Sequence, residues 1–172
     1  MSNFKKLNLK NVCDCNERFR IYIDDTNSII YKQLKNPRIK KRIRENFDKY
    51  KNIILNTNNQ NICSIEAFNV EDDGSYKCNY IKGFTLYQIK YRKKFGLNDV
   101  INQEKSNIID AIEDLKKEII RMKSGDWHIN NLVYSLKEKK IYNVDCEGYF
   151  TYPNGICLTT LENTLNNIIN SF

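Results

Sequence analysis

The chain has 172 residues, of which 41% are hydrophobic and 12% aromatic, and carries a formal net charge of +7. That length makes one domain or two small lobes sharing a cleft, and the apolar fraction suffices for a packed core. No apolar run reaches the length of a membrane span and Met-Ser-Asn-Phe-Lys-Lys has no apolar secretory core behind it, so the expected location is cytoplasmic.

Six cysteines (Cys13, Cys15, Cys63, Cys78, Cys146, Cys157) form no C-x-x-C pair, and the single histidine leaves little for a zinc site. They read as thiols in a reducing compartment, with Cys13 and Cys15 as buried or half-buried thiols on a strand rather than a redox pair. The positive charge suits a nucleotide, a phosphorylated glycan, an anionic membrane or a nucleic acid. In a chain so rich in Asn, Lys and Ile it does not choose among them.

Along the chain, Leu7 to Val12 alternates weakly and Arg18 to Ile23 alternates strongly, which predicts two strands around the polar loop Cys13 to Glu17. A turn over Asp24 to Asn27 leads to a third strand, Ser28 to Leu34. Asn36-Pro37 opens a predicted helix on which Ile39, Ile43, Phe47, Tyr50 and Ile54 recur at helical spacing. Its many Lys and Arg residues read as a solvated basic face. The sharper alternative is peripheral contact with an anionic membrane or an acidic substrate.

Ile62 to Val70 and Ser75 to Ile81 follow as strands around Glu71-Asp72-Asp73-Gly74. Gln88 to Gly96 is a short basic helix or loop holding Lys90, Arg92, Lys93 and Lys94, and Asn98 to Gln103 reads as a loop. Ser106 then caps a predicted helix to Lys123 with Ile108, Ile109, Ala111, Ile112, Leu115, Ile119 and Met122 inward. After an aromatic turn over 149–155, Leu158, Leu161, Leu165, Ile168 and Ile169 mark a final helix.

The chemistry concentrates between Ser124 and Gly148. Leu132-Val133-Tyr134 and Ile141-Tyr142-Asn143-Val144 read as a hairpin through Ser135 to Lys140. Asp126 and Asn131 precede its first strand and Asp145 follows its second, so antiparallel pairing predicts all three at one edge. Asn131 and Asp145 are hard oxygen donors of the kind Mg²⁺ prefers, and Asp126 is a carboxylate able to accept a hydroxyl proton. Trp127 reads as core.

Gly125, Asp126, His128 and Asn131, followed after a hairpin by Asp145, Glu147 and Gly148, resemble the catalytic loop and metal-binding segment of the protein-kinase-like phosphotransferases. The pattern is closest to the lipopolysaccharide core kinases and the aminoglycoside phosphotransferases, with Ser124 where those families often have histidine and Cys146 in place of an aromatic. The resemblance implies an α+β, minimal two-lobe kinase-like fold: an antiparallel N-lobe with one helix over residues 1–86, and a reduced helical C-lobe over 87–172. It implies ATP and Mg²⁺ as cofactors, with Asn131 and Asp145 as metal ligands and Asp126 as catalytic carboxylate. His128 would organise the loop at the catalytic site.

The same resemblance makes Lys32, after Ile29-Ile30-Tyr31, the lysine that holds the α- and β-phosphates, with Glu45 as its partner and Asp48 in reserve. Tyr80 and Ile81 become the hinge whose backbone meets the adenine edge. The implied activity is transfer of the ATP γ-phosphoryl group to a sugar, glycolipid or other small hydroxyl acceptor. The cations of Gln88 to Gly96 would flank an anionic one. The loop Cys13 to Glu17 departs from the family in having no glycine, which favours the alternative of a catalytically silent nucleotide-binding module. A nucleic-acid partner would rest on charge alone, since no reader motif is present.

Overall fold

Apolar residues at alternate positions from Phe19 onward fold into a hairpin that sorts them to one side. The computed structural model describes residues 10–13, 19–39, 41, 45, 69–70, 76–122, 127–145 and 158–172. Strands β2 (Phe19–Asp24) and β3 (Ile29–Leu34) pair antiparallel, Phe19 opposite Leu34 and Asp24 opposite Ile29. Opposed residues share a face, so Phe19, Ile21, Ile23, Ile30, Lys32 and Leu34 lie on one side and Arg20, Tyr22, Tyr31 and Gln33 on the other. On the polar side the Tyr22 hydroxyl donates to Gln33 Oε1 at 3.1 Å. Asn27 closes the turn by donating its Nδ2 and backbone N–H to the Asp24 carboxylate, at 2.8 and 3.1 Å, which holds the Asp24 carboxyl below its ordinary range.

β3 is the central strand of a five-stranded antiparallel sheet. β1 (Lys10–Cys13) pairs with β2 across a register shift, β5 (Tyr76–Asn79) pairs with β3, and β4 (Asn69–Val70) pairs with β5. Of the predicted helix over 36–55, the described part is a 3₁₀ turn, Pro37–Ile39, and the helical residues Lys41 and Glu45. The remainder of that helix, the loop over 14–17 and most of the strand over 62–70 lie outside the described residues.

The described residues divide after Tyr80 into two compact units. The second holds a three-stranded antiparallel sheet, ordered β6 (Gly83–Thr85), β7 (Leu132–Ser135), β8 (Ile141–Asn143). β6 lies between the strand expected to end at Ile81 and the helix or loop expected from Gln88, where no strand was expected: Gly83 pairs opposite Ser135 and Thr85 opposite Val133. Glycine at 83 is required by this closeness, because a Cβ there would overlap the Tyr134 carbonyl. Thr85 then starts α1 (Leu86–Lys90) through a capping box. Its Oγ1 accepts from Gln88 N–H at 3.1 Å, and its own N–H donates to Gln88 Oε1 at 2.9 Å.

Residues 98–103, expected as a loop, form helix α2 (Asn98–Gln103). Asn-Asp-Val-Ile-Asn-Gln has weak helix propensity, and the complete burial of Ile101 overrides it. Helix α3 (Lys105–Met122) follows at once, so Ser106 lies inside its first turn instead of capping it. Glu104 serves both helices: its N–H donates to Val100 O at 3.3 Å, and its carbonyl accepts from Ile108 N–H at 2.9 Å.

Ile108, Ala111, Ile112, Leu115 and Ile119 form the buried stripe of α3. Leu161, Leu165 and Ile168 form that of α4 (Leu158–Asn170). Lys116 Nζ donates to Asn166 Oδ1 at 3.0 Å between the two helices. Both faces of β7 are covered, so Leu132, Val133, Tyr134 and Ser135 are all buried. The architecture is mixed α+β with antiparallel sheets, and no helix among the described residues is long and apolar enough to cross a membrane.

Candidate functional site

The loop before β7 is held from several sides by backbone groups. Trp127 sits in the core at 3% exposure, and Ile129 O accepts from Tyr87 N–H at 3.1 Å, which ties the loop to α1. His128 accepts twice: its carbonyl from Asn131 N–H at 2.7 Å, and its Nδ1 from Asn130 N–H at 3.3 Å. The neutral imidazole therefore carries its proton on Nε2. This is a loop-organising geometry, with the ring itself exposed.

Asn131 enters β7 as Asp145 leaves β8. Leu132 pairs opposite Asn143, and one step beyond that pair the Asn131 carbonyl accepts from Val144 N–H at 2.8 Å. Asn131 and Asp145 thus stand at the same end of the hairpin, both half-buried. Asp126 lies outside the described residues, as do Cys146, Glu147 and Gly148.

Asn143 is a site residue that sequence reasoning missed. It is fully buried, and its Oδ1 accepts from Asp145 N–H at 3.0 Å, so the side chain that ends β8 sets the backbone two residues further on. The available signal was a polar amide at the inward-facing position of a strand, two residues after the buried Ile141.

Glu104 was missed as well. Its carboxylate accepts from the buried Tyr134 hydroxyl at 2.7 Å, from Lys139 Nζ at 2.6 Å and from Asn107 Nδ2 at 3.1 Å. These bonds, Lys139 first, hold the Glu104 carboxyl down to about 2. Burial, reinforced by Glu104, pushes the Tyr134 phenol up. The network fastens the junction of α2 and α3 to the hairpin that carries Asn131 and Asp145.

In the first unit, Lys32 is buried at 8% exposure on the central strand, opposite Ile21 and Tyr76 in register. Glu45 pairs with Lys41 one helical turn earlier, at 3.8 Å, instead of with Lys32. The reason is its position: the Glu45 side chain is 63% exposed. Tyr80 N–H is taken by Ser28 O at 2.8 Å, so this N–H is not a donor for a base edge; Ile81 begins the second unit.

Among the described residues no group of three or more His, Cys, Asp or Glu side chains converges as a metal cage. The amide oxygen of Asn131 and the carboxylate of Asp145 are nonetheless a hard-oxygen donor pair. Such a pair fits Mg²⁺, which is ordinarily held by one or two protein oxygens with phosphates and water completing the shell. Compared with known proteins, the chain matches no family model and no curated protein sequence.

Proposed function

We propose that the chain is a Mg²⁺- and ATP-dependent phosphotransferase of the protein-kinase-like kind, acting on a hydroxyl of a sugar, glycolipid or other small acceptor, with the two units as N- and C-lobes. The observation that carries this reading is the hairpin end. There Asn131 enters β7 where Asp145 leaves β8, and Val144 N–H donates to the Asn131 carbonyl between them, with the motif Gly125-Asp126-Trp127-His128 shortly before Asn131 in the chain.

In this mechanism Asn131 and Asp145 present oxygens to the metal, Asn143 holds the backbone of Asp145, and His128 holds the turn that presents Asn131. Mg²⁺, which Asn131 and Asp145 would hold, would supply neutralisation of phosphate charge. Lys32 holds the α- and β-phosphates as a point charge. Asp126 orients the acceptor hydroxyl and takes its proton as the acceptor oxygen bonds to the γ-phosphorus and the bond to the β-phosphate oxygen breaks, releasing ADP. The transition state is loose, so positioning and charge account for most of the catalysis.

The test is calorimetry with Mg²⁺ and ATP, together with phosphate release, on wild type, Asp126→Ala and Asp145→Ala. Loss of binding in Asp145→Ala and loss of hydrolysis with binding retained in Asp126→Ala are expected; no binding by wild type refutes the proposal. A second reading is a catalytically silent nucleotide-binding module, favoured by the glycine-free sequence Cys13 to Glu17. It predicts metal-dependent binding without turnover in wild type.

A further inference from the structure

The second unit contains an open cavity of about 190 Å³ lined by Lys90 of α1, Trp127, His128 and Ile129 of the loop, and Thr160, Leu161 and Thr164 of α4. Ligand clefts for drug-sized molecules run to roughly 300–1,000 Å³. This one is smaller and suits a single ring or headgroup, not a nucleotide.

Its chemistry is one-sided. Trp127, Ile129 and Leu161 give it an apolar wall. The charged side chain in its lining is Lys90, and no carboxylate lines it among the described residues. Asn130 N–H occupies His128 Nδ1, so Nε2–H is what this ring offers a ligand. The Thr164 hydroxyl donates to Thr160 O at 2.9 Å, which leaves its oxygen to accept from a ligand hydroxyl. Lys90 also belongs to a stretch, 87–97, with four cations and no acidic residue, and such a local field favours an anion.

We infer that this cavity binds a compact hydroxyl compound carrying one anionic group, a phosphate monoester or a carboxylate, with Lys90 and His128 taking the anion and Thr164 a hydroxyl. Trp127 and His128 directly follow Asp126 in the chain. That the bound compound is the phosphoryl acceptor rests on the phosphotransferase proposal; that it binds does not.

Calorimetric titration of the full chain with glucose 6-phosphate, glucuronate and glucose tests the inference, with wild type, Lys90→Gln, Lys90→Arg and Thr160→Trp compared. Saturable binding of at least one of the two anionic probes and none of glucose is expected, and which probe binds separates phosphate from carboxylate. Lys90→Gln should weaken that binding at least tenfold and Lys90→Arg should restore most of it. Thr160→Trp, which fills the cavity from an exposed position, should abolish it with an unchanged circular dichroism spectrum. Failure of both anionic probes at millimolar concentration, glucose binding as well as its phosphate, or indifference to both Lys90→Gln and Thr160→Trp would overturn it. Mg²⁺·ATP binding, titrated separately, reports on the phosphotransferase proposal: its absence removes the acceptor role and leaves the anion site standing or falling on its own titrations.

Discussion

The Tyr134 hydroxyl donates to Glu104 Oε2 at 2.7 Å across 30 residues of chain. Tyr134 is fully buried in the middle of the three-stranded sheet, and Glu104 joins two helices. The bond therefore sets where the helices meet the hairpin that presents Asn131 and Asp145. Lys139 completes it from the hairpin turn, where it adopts a left-handed φ of 55°.

Glu104→Gln should destabilise the protein by about 2 kcal/mol at neutral pH, the usual worth of hydrogen bonds to a charged group. The carboxyl is lowered from 4.5 to about 2 on folding, so its contribution is complete above 4.5. That contribution fades as pH falls from 4.5 toward 2 and is gone below both values. Urea midpoints of wild type and Glu104→Gln should accordingly converge on acidification through this window. A gap independent of pH would refute the assignment.

Gly83→Ala should cost roughly 3 kcal/mol, at the upper end for overpacking, because the added methyl meets backbone that cannot rotate away. The obstacle is the carbonyl of Tyr134 in the paired strand. A thermal midpoint within a degree of wild type would show that β6 can be displaced without loss.

The two hairpin connections, 25–28 and 136–140, offer a contrast. Ser28 and Lys139 hold φ at 54° and 55°, a conformation that costs a side-chain-bearing residue about 1 kcal/mol. Ser28→Gly should relieve that strain and raise the urea midpoint. Lys139→Gly should not, since it gives up the 2.6 Å ion pair to Glu104. Equal stabilisation by both would mean the ion pair contributes nothing.

If the chain is the proposed phosphotransferase, Asn143→Ala should weaken Mg²⁺-dependent nucleotide binding about tenfold while leaving metal-free binding unchanged, because Asn143 acts on Asp145 through the backbone bond to its N–H. It should also lower stability by about 1–3 kcal/mol as buried hydrogen bonds are lost. Titrations with and without Mg²⁺ separate the two effects, and an equal loss in both would leave only a structural role.

Lys32→Met should reduce nucleotide affinity at least tenfold if Lys32 holds phosphates. Methionine is of similar length and suits a face shared with Ile21, Ile30 and Leu34. Unaltered Mg²⁺·ATP binding in a folded Lys32→Met protein would withdraw that role.

The sequence alone determined the elements whose signal is local. Alternation marked β2, the turn over Asp24 to Asn27 introduced β3, helical spacing marked α3 and α4, and the apolar runs on either side of Ser135 to Lys140 marked the hairpin that brings Asn131 and Asp145 to one end. The tertiary structure decided what depends on a distant partner. Gly83–Thr85 is a strand because β7 lies beside it, residues 98–103 are helical because Ile101 is buried, and Glu45 turns to Lys41 because its side chain faces water. Glu104 carries no local pattern, and the inward strand position of Asn143 does not name its partner, since the worth of a buried polar group is set by the partner that folding delivers to it.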